Sequence, residues 1–193
     1  MIGDLNKTIK TLIINALPKD LVAQIKITFS APDKLSPPPA GAPLLLYIFL
    51  YCIRENLELR ESTYLTGSKP NTPLIYIDYS YLLTAWCGGG SDSSGTDNST
   101  QEEHDLLNRT LQALLPYPTW PSNLLQGELA TIQPPPSAHI VQADHLQSMD
   151  EFWSAIGKPP KAALHYTVTA PFYYQTGKAL SSTSNTAQQT QQG

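Results

Sequence analysis

From Leu44 to Ile53 the chain reads LLLYIFLYCI, apolar at both alternating sets of positions and rich in aromatic and β-branched residues. The run is far short of the ~20 residues an apolar helix needs to cross a bilayer. Its composition suits a strand buried on both faces, so it is expected as a central strand of a sheet. Everything else in the chain must be arranged to cover it.

Three further stretches alternate with the period of a strand. Ile75, Ile77, Tyr79, Tyr81, Leu83 and Ala85 alternate with Tyr76, Asp78, Ser80, Leu82 and Thr84, a long strand expected to pair with Leu44–Ile53. Ile25, Ile27 and Phe29 alternate with Lys26 and Thr28, giving a strand with one wet face. Leu164, Tyr166 and Val168 alternate with His165, Thr167 and Thr169, again with one buried face. A shorter strand is expected near His139–Ala143.

Helical spacing appears in other places. Ile2, Leu5, Ile9, Leu12, Ile13, Ala16 and Leu17 form a stripe that Pro18 ends. Leu106, Leu107, Leu111, Leu114 and Leu115 form another, with Thr100 and Glu103 at capping-box spacing, and Pro116, Pro118 and Pro121 stop it. Ser148 and Glu151 have the same spacing ahead of Phe152, Trp153 and Ile156, and Gly157, Pro159 and Pro160 close that short helix.

The connections are marked by composition. Residues 31–43 are dense in proline, and three consecutive prolines favour a stiff extended chain that cannot join a ladder. RENLELR, Arg54 to Arg60, reads as a polar continuation of the central strand, and Gly67, Pro70, Asn71 and Pro73 mark residues 61–73 as a loop. Residues 88–99 are a glycine-serine-aspartate linker, and the small polar residues after Gln175 are expected to be disordered. With 41% hydrophobic residues, 193 residues bury one sizeable core. The expected fold class is α+β, a mostly antiparallel sheet flanked by about three helices in a single domain over residues 1–172. Residues 173–193 form a polar tail.

Composition excludes several functions. The twelve basic residues are scattered from Lys7 to Lys178 and the net charge is −4, so no patch tracks a phosphate backbone. The opening residues are interrupted by Asp4, Lys7 and Lys10, unlike a signal peptide, and cytoplasmic synthesis and folding are the default. Cys52 is expected as an inert small hydrophobe within its strand, and a Cys52–Cys87 disulfide stays open although the inferred compartment argues against it. No metal or other cofactor is expected. His104, His139, His145 and His165 lack ligand spacing and are read as solvated surface residues, and Gly88–Gly90 lacks the Lys-Ser/Thr of a phosphate loop. No G-x-S-x-G elbow is present. Asp78 is a lone carboxylate among tyrosines, which points to an edge or interface group. Tyr47, Tyr51, Tyr76, Tyr79 and Tyr81 divide between core packing and a subunit interface, where a ring with a polar tip is favoured.

A resemblance adds to this inventory. YIFLYCIRENLELR (47–60), IDYSYLLTAW (77–86), EEHDLLNRTLQALL (102–115), LLQGELA (124–130) and FWSAIGKPPKAALHYTVTAP (152–171) are spaced as in the cap or tail-terminator proteins of extracellular contractile injection systems. MIGDLNKTIKTLI is similar to their first helix. The resemblance implies a structural subunit, not an enzyme, that forms a ring, typically a hexamer. Such a ring would end the inner tube and the sheath of the particle at the end away from the baseplate. It implies other copies of itself, the inner-tube protein and the sheath protein as partners, with no nucleic acid and no membrane insertion. The particle itself is either released or membrane-associated. Interface residues are expected at Arg54, Glu55, Glu58, Arg60, Asp78, Tyr79 and Tyr81, with the loops 31–43 and 61–73 docking. Alternatives from other classes are an enzymatic or small-molecule-binding domain, and an adaptor tethering a particle to a surface.

Overall fold

The computed structural model describes residues 1–30, 44–65, 74–87, 96–140, 153–155, 157 and 160–173. Helix α1 (Ile2–Ala16) buries Leu5, Thr8, Ile9, Leu12 and Ile13, one stripe at helical spacing, and carries Asp4 in its first turn, where a carboxylate favours the helix dipole. It ends before Pro18, and a short helix α2 (Lys19–Gln24), absent from the sequence pattern, follows directly. Strand β1 (Ile25–Thr28) leads to β2 (Leu44–Glu55), helix α3 (Leu57–Leu65), β3 (Leu74–Trp86) and helix α4 (Thr96–Leu114). Two 3-10 turns, Ser122–Leu124 and Gly127–Thr131, precede β4 (Ser137–Ile140) and β5 (Leu164–Tyr173).

The strands form one sheet in the order β1-β2-β3-β5-β4. Only β1 and β2 run parallel, and the other three pairs are antiparallel. β2 is an interior strand along Leu44–Tyr47, where β1 flanks it, and β3 is paired along both sides. The register of β2 slips between Leu50 and Cys52, so Tyr51 is the extra residue of a bulge.

One face of the sheet carries Leu46, Ile48, Tyr79, Tyr81, Leu83, Tyr166 and Val168 against the stripes of α1 and α4. The other face holds a smaller cluster, Tyr47, Leu82, Trp86 and Trp153. Each fully buried large apolar side chain contributes on the order of 1.5–3 kcal/mol, so the first face dominates the stability of the fold. Gly127, at φ +58°, lies so close to the Asp4 carboxylate that a Cβ there would collide with it, which lets the second 3-10 turn close against α1. Thr8 reinforces this contact, since its hydroxyl donates to the Asp4 carbonyl at 2.8 Å and accepts from Gln126 N–H at 3.1 Å.

Several expectations are corrected. The polar arm from Arg54 to Arg60 is not a strand continuation: β2 stops at Glu55 and α3 begins at Leu57, extending through residue 65 of the expected loop. Helix α4 starts at Thr96, inside the expected linker, so Thr100 and Glu103 lie in its interior and form no capping box. Glu103 is instead buried, accepting from Cys87 N–H at 2.9 Å and from Lys161 Nζ at 2.6 Å. The Lys161 ammonium also sits 4.1 Å from the Trp86 ring centroid. Strand β5 has no wet face over its middle: His165, Thr167 and Thr169 are all buried. Cys52 and Cys87 are both free, and burial with the neighbouring Glu102 carboxylate pushes the Cys87 thiol up to about 11, which keeps it protonated and unreactive. The expected features at 31–43, 66–73, 88–95, 141–152 (His145, Ser148, Glu151 and Phe152 among them) and 174–193 lie outside the described residues.

Candidate functional site at the end of the sheet

The corner where β2 turns into α3 gathers most of the charged residues singled out by sequence. Asn56 makes the corner: its side-chain oxygen accepts the Leu59 N–H at 3.0 Å, an N-cap bond, while its own N–H reaches the Tyr76 carbonyl at 2.8 Å. Its amide nitrogen donates to both oxygens of Asp78, at 3.1 and 3.3 Å. Thr169 on β5 donates to the same carboxylate at 2.7 Å, and Arg54 Nε lies 3.5 Å from it. Asp78 is 5% exposed. A buried carboxylate is tolerated there because donors from two neighbouring strands, β2 and β5, and from the corner surround it. The lone carboxylate of the sequence is therefore the centre of a network.

Glu55 and Arg60 pair across the corner at 3.1 Å. Glu58 projects from the exposed first turn of α3. Arg54, Glu55, Glu58, Arg60 and Asp78 are thus brought together. Tyr79 and Tyr81 are not part of this surface. Both are buried on the α1 side of the sheet, where the Tyr79 hydroxyl donates to Met1 Sδ at 3.1 Å and the Tyr81 hydroxyl to Asn6 Oδ1 at 3.1 Å. Burial raises both phenols above their ordinary value, Tyr81 well above it. In the single chain these two serve the core, because β3 presents its odd-numbered positions to α1.

The corner also exposes apolar residues that charge patterning did not reveal. Ile53 is 51% and Leu57 58% exposed, and Phe172 and Tyr173 are exposed at the same end of the sheet on β5. The register places them there: Ile53 lies opposite Tyr79, and Phe172 and Tyr173 lie opposite Ile75 and Leu74 at the start of β3. An exposed apolar rim at one end of a sheet is a feature of surfaces that meet other proteins.

His165, expected at the surface, is buried on the opposite face from α1, with its ring edge-on to Tyr51 at 5.9 Å and Nδ1 3.4 Å from the Tyr51 hydroxyl. The bulge at Tyr51 aims that ring inward. Burial holds the imidazole below its ordinary value of 6.5, so the unfolded chain binds a proton more readily than the folded one. Stability is complete above about pH 6.5 and is lost as pH falls below it toward the lower folded-state value. His165→Gln is expected to flatten the acid side of a stability–pH profile measured by urea melts between pH 7.5 and 5. Equal slopes for both proteins would refute this.

Among the described residues no group of three or more His, Cys, Asp or Glu side chains is placed to hold a metal ion. No helix among them is long and apolar enough to cross a membrane.

A family model described as the Pvc16 N-terminal domain matches residues 4–182. No curated protein matches the chain by sequence. Among solved structures, the PVC sheath/tube terminator of an extracellular contractile injection system, in its extended state, superposes with a TM-score of 0.62 at 23% identity. That match covers 99% of this chain and 64% of the other. The tube-terminating cap of the anti-feeding prophage superposes with a TM-score of 0.61 at 17% identity, covering 92% of this chain and 56% of the other. The chain therefore spans 64% and 56% of the lengths of these two proteins. At these identities the superpositions establish a common α+β fold, and the family match covers almost the whole sequence. The chain belongs to the Pvc16 N-terminal domain family.

Proposed function

We propose that this protein is a structural cap of a contractile injection system, ending the inner tube and the sheath at the end away from the baseplate. The observation that carries this reading is the family match over residues 4–182, supported by the fold shared with a sheath/tube terminator and a tube-terminating cap. Copies of the chain would form a ring, a hexamer in this reading, whose lower face meets the last layer of tube or sheath. Tube and sheath are open head-to-tail stacks with no intrinsic endpoint, so a ring offering no further binding face stops growth. The role asks for surfaces and no catalysis. The charged corner of Arg54, Glu55, Glu58 and Arg60 and the apolar rim of Ile53, Leu57, Phe172 and Tyr173 are the contact surfaces of this reading.

Deletion of the gene in a producing cell is expected to leave tube and sheath subunits folded, because each has its own core. The particles should become variable in length or unstable, and electron micrographs should lose the density that closes the end away from the baseplate. Uniform, closed particles in the deletion strain would overturn the assignment.

A further inference from the structure

We propose that the β2–α3 corner of one copy docks on the α2–β1 flank of the next, so that copies of this chain meet head to tail. This contact rests on the ring reading of the chain and supplies its surfaces.

The corner is acidic once its own pairs are cancelled. Arg54 is engaged by Asp78 and Arg60 by Glu55, which leaves Glu58 and Glu61, both exposed, with no ion pair among the described residues. Their spacing puts them on one side of α3 with exposed Leu57. The acidic stretch of α4 differs. Glu102 accepts from the Cys87 thiol and Asp105 from the Gln101 amide, and no large apolar residue is exposed beside them. A surface that fits the corner brings cations around an apolar centre.

The chain carries such a surface. Lys10, Lys19 and Lys26, on α1, α2 and β1, are exposed and form no ion pair among the described residues, and Asp20 is the one acid of α2 and β1. Helix α2 is six residues long and buries none of them, with Leu21 and Val22 half-covered at the margin of the core. A helix that short depends on packing for its stability, so a partner seated on it adds cover that its own chain leaves open.

The two surfaces cannot meet within one chain. Helix α2 runs into Ile25, which lies level with Leu44, the first residue of β2, whereas the corner follows Glu55, the last. At the usual rise of a strand, the 12 residues of β2 hold the two ends about 35–40 Å apart. Complementary patches so placed are satisfied only between copies, and a contact of unlike patches is head to tail, the kind that generates a ring when its rotation closes.

The test uses the full chain in a producing cell that lacks the chromosomal gene, with closed particle ends counted in electron micrographs. Glu58→Lys with Glu61→Lys, and separately Lys19→Glu with Lys26→Glu, should each cut the closed fraction about ten-fold, because each sets like charges against one another. The chain carrying all four reversals should restore it. So should the two variants made together, since each offers the patch that the other lacks. Glu58→Gln with Glu61→Gln adds no repulsion and should lose less. All four residues are exposed, so urea midpoints of the purified variants should match the wild type. Closed ends that survive either reversal would overturn the proposal. A loss that neither combination restores would overturn it as well, giving the corner to a tube or sheath subunit. Failure of the wild-type gene itself to restore closed ends would instead overturn the terminator role, and this contact with it.

Discussion

Trp120→Ala should lower the melting temperature by roughly 10–15 °C, since a buried Trp→Ala substitution costs about 3–5 kcal/mol and each kcal/mol moves a domain of this size by about 2–4 °C. Trp120 is 1% exposed and packs in the main core against β5. Its indole N–H donates to the buried Tyr166 hydroxyl at 3.0 Å, and burial pushes that phenol up to about 12. The substitution therefore opens a cavity and removes the indole N–H that donates to that buried hydroxyl. Trp120 also carries the backbone bond to Pro136 that anchors the far flank of the sheet, so loosening here should spread to β4. Trp120→Phe keeps most of the ring and should cost only about 1–2 kcal/mol for the lost hydrogen bond. Thermal melts by circular dichroism separate the two. A shift below about 3 °C for the alanine variant would contradict the central place given to this residue, on the same scale of conversion.

Trp120 also shows where sequence reading stops. It sits between Pro118 and Pro121 in a stretch without periodicity, so nothing local distinguishes a core anchor from a loop aromatic. Periodic segments were legible: α1, β1, the buried run of β2, β3 and β5 all stand where the alternation or the helical stripe puts them. The faces were less so. His165, Thr167 and Thr169 read as solvent-facing because they are polar, yet hydrogen bonds between Ser80 and Thr167 and between Thr169 and Asp78 let polar residues lie in a buried layer. The β2–α3 corner was misread for a related reason. RENLELR alternates well enough to pass for a strand, and the deciding feature is Asn56, whose side chain caps α3 and holds Asp78 at once. An asparagine after a strand is a weak signal until the carboxylate it serves is known. The charged residues of the candidate site were therefore found, but their pairings and the apolar Ile53 and Leu57 beside them needed the fold.

Asp78→Ala should destabilise the chain by about 2–4 kcal/mol, the range expected when one member of a buried hydrogen-bonded charge network is removed. Three groups lose their acceptor: the Thr169 hydroxyl, the Asn56 amide and Arg54. Arg54 is 46% exposed and can turn to water, which holds the cost below that of a fully enclosed pair, whereas Thr169 is buried and cannot. Asn56 is the coupling element, because the amide released from Asp78 belongs to the side chain that caps α3. Asn56→Ala and Asp78→Ala should consequently be non-additive, with a double-mutant-cycle interaction above about 0.5 kcal/mol. Urea melts of the two single variants and the double variant measure it, and strict additivity would mean that cap and carboxylate act independently. The same geometry decides how the corner can be tested as a contact surface. Reversing the charge of Arg54 places a second carboxylate beside buried Asp78 and damages the fold itself, so loss of assembly in that variant says nothing about an interface. The side chains of Leu57 and Glu58 are exposed in the first turn of α3 and make none of that carboxylate's hydrogen bonds. Leu57→Asp combined with Glu58→Lys should therefore leave the urea midpoint within the error of the wild type while reducing incorporation into particles, and normal incorporation would remove this corner from the contact surface.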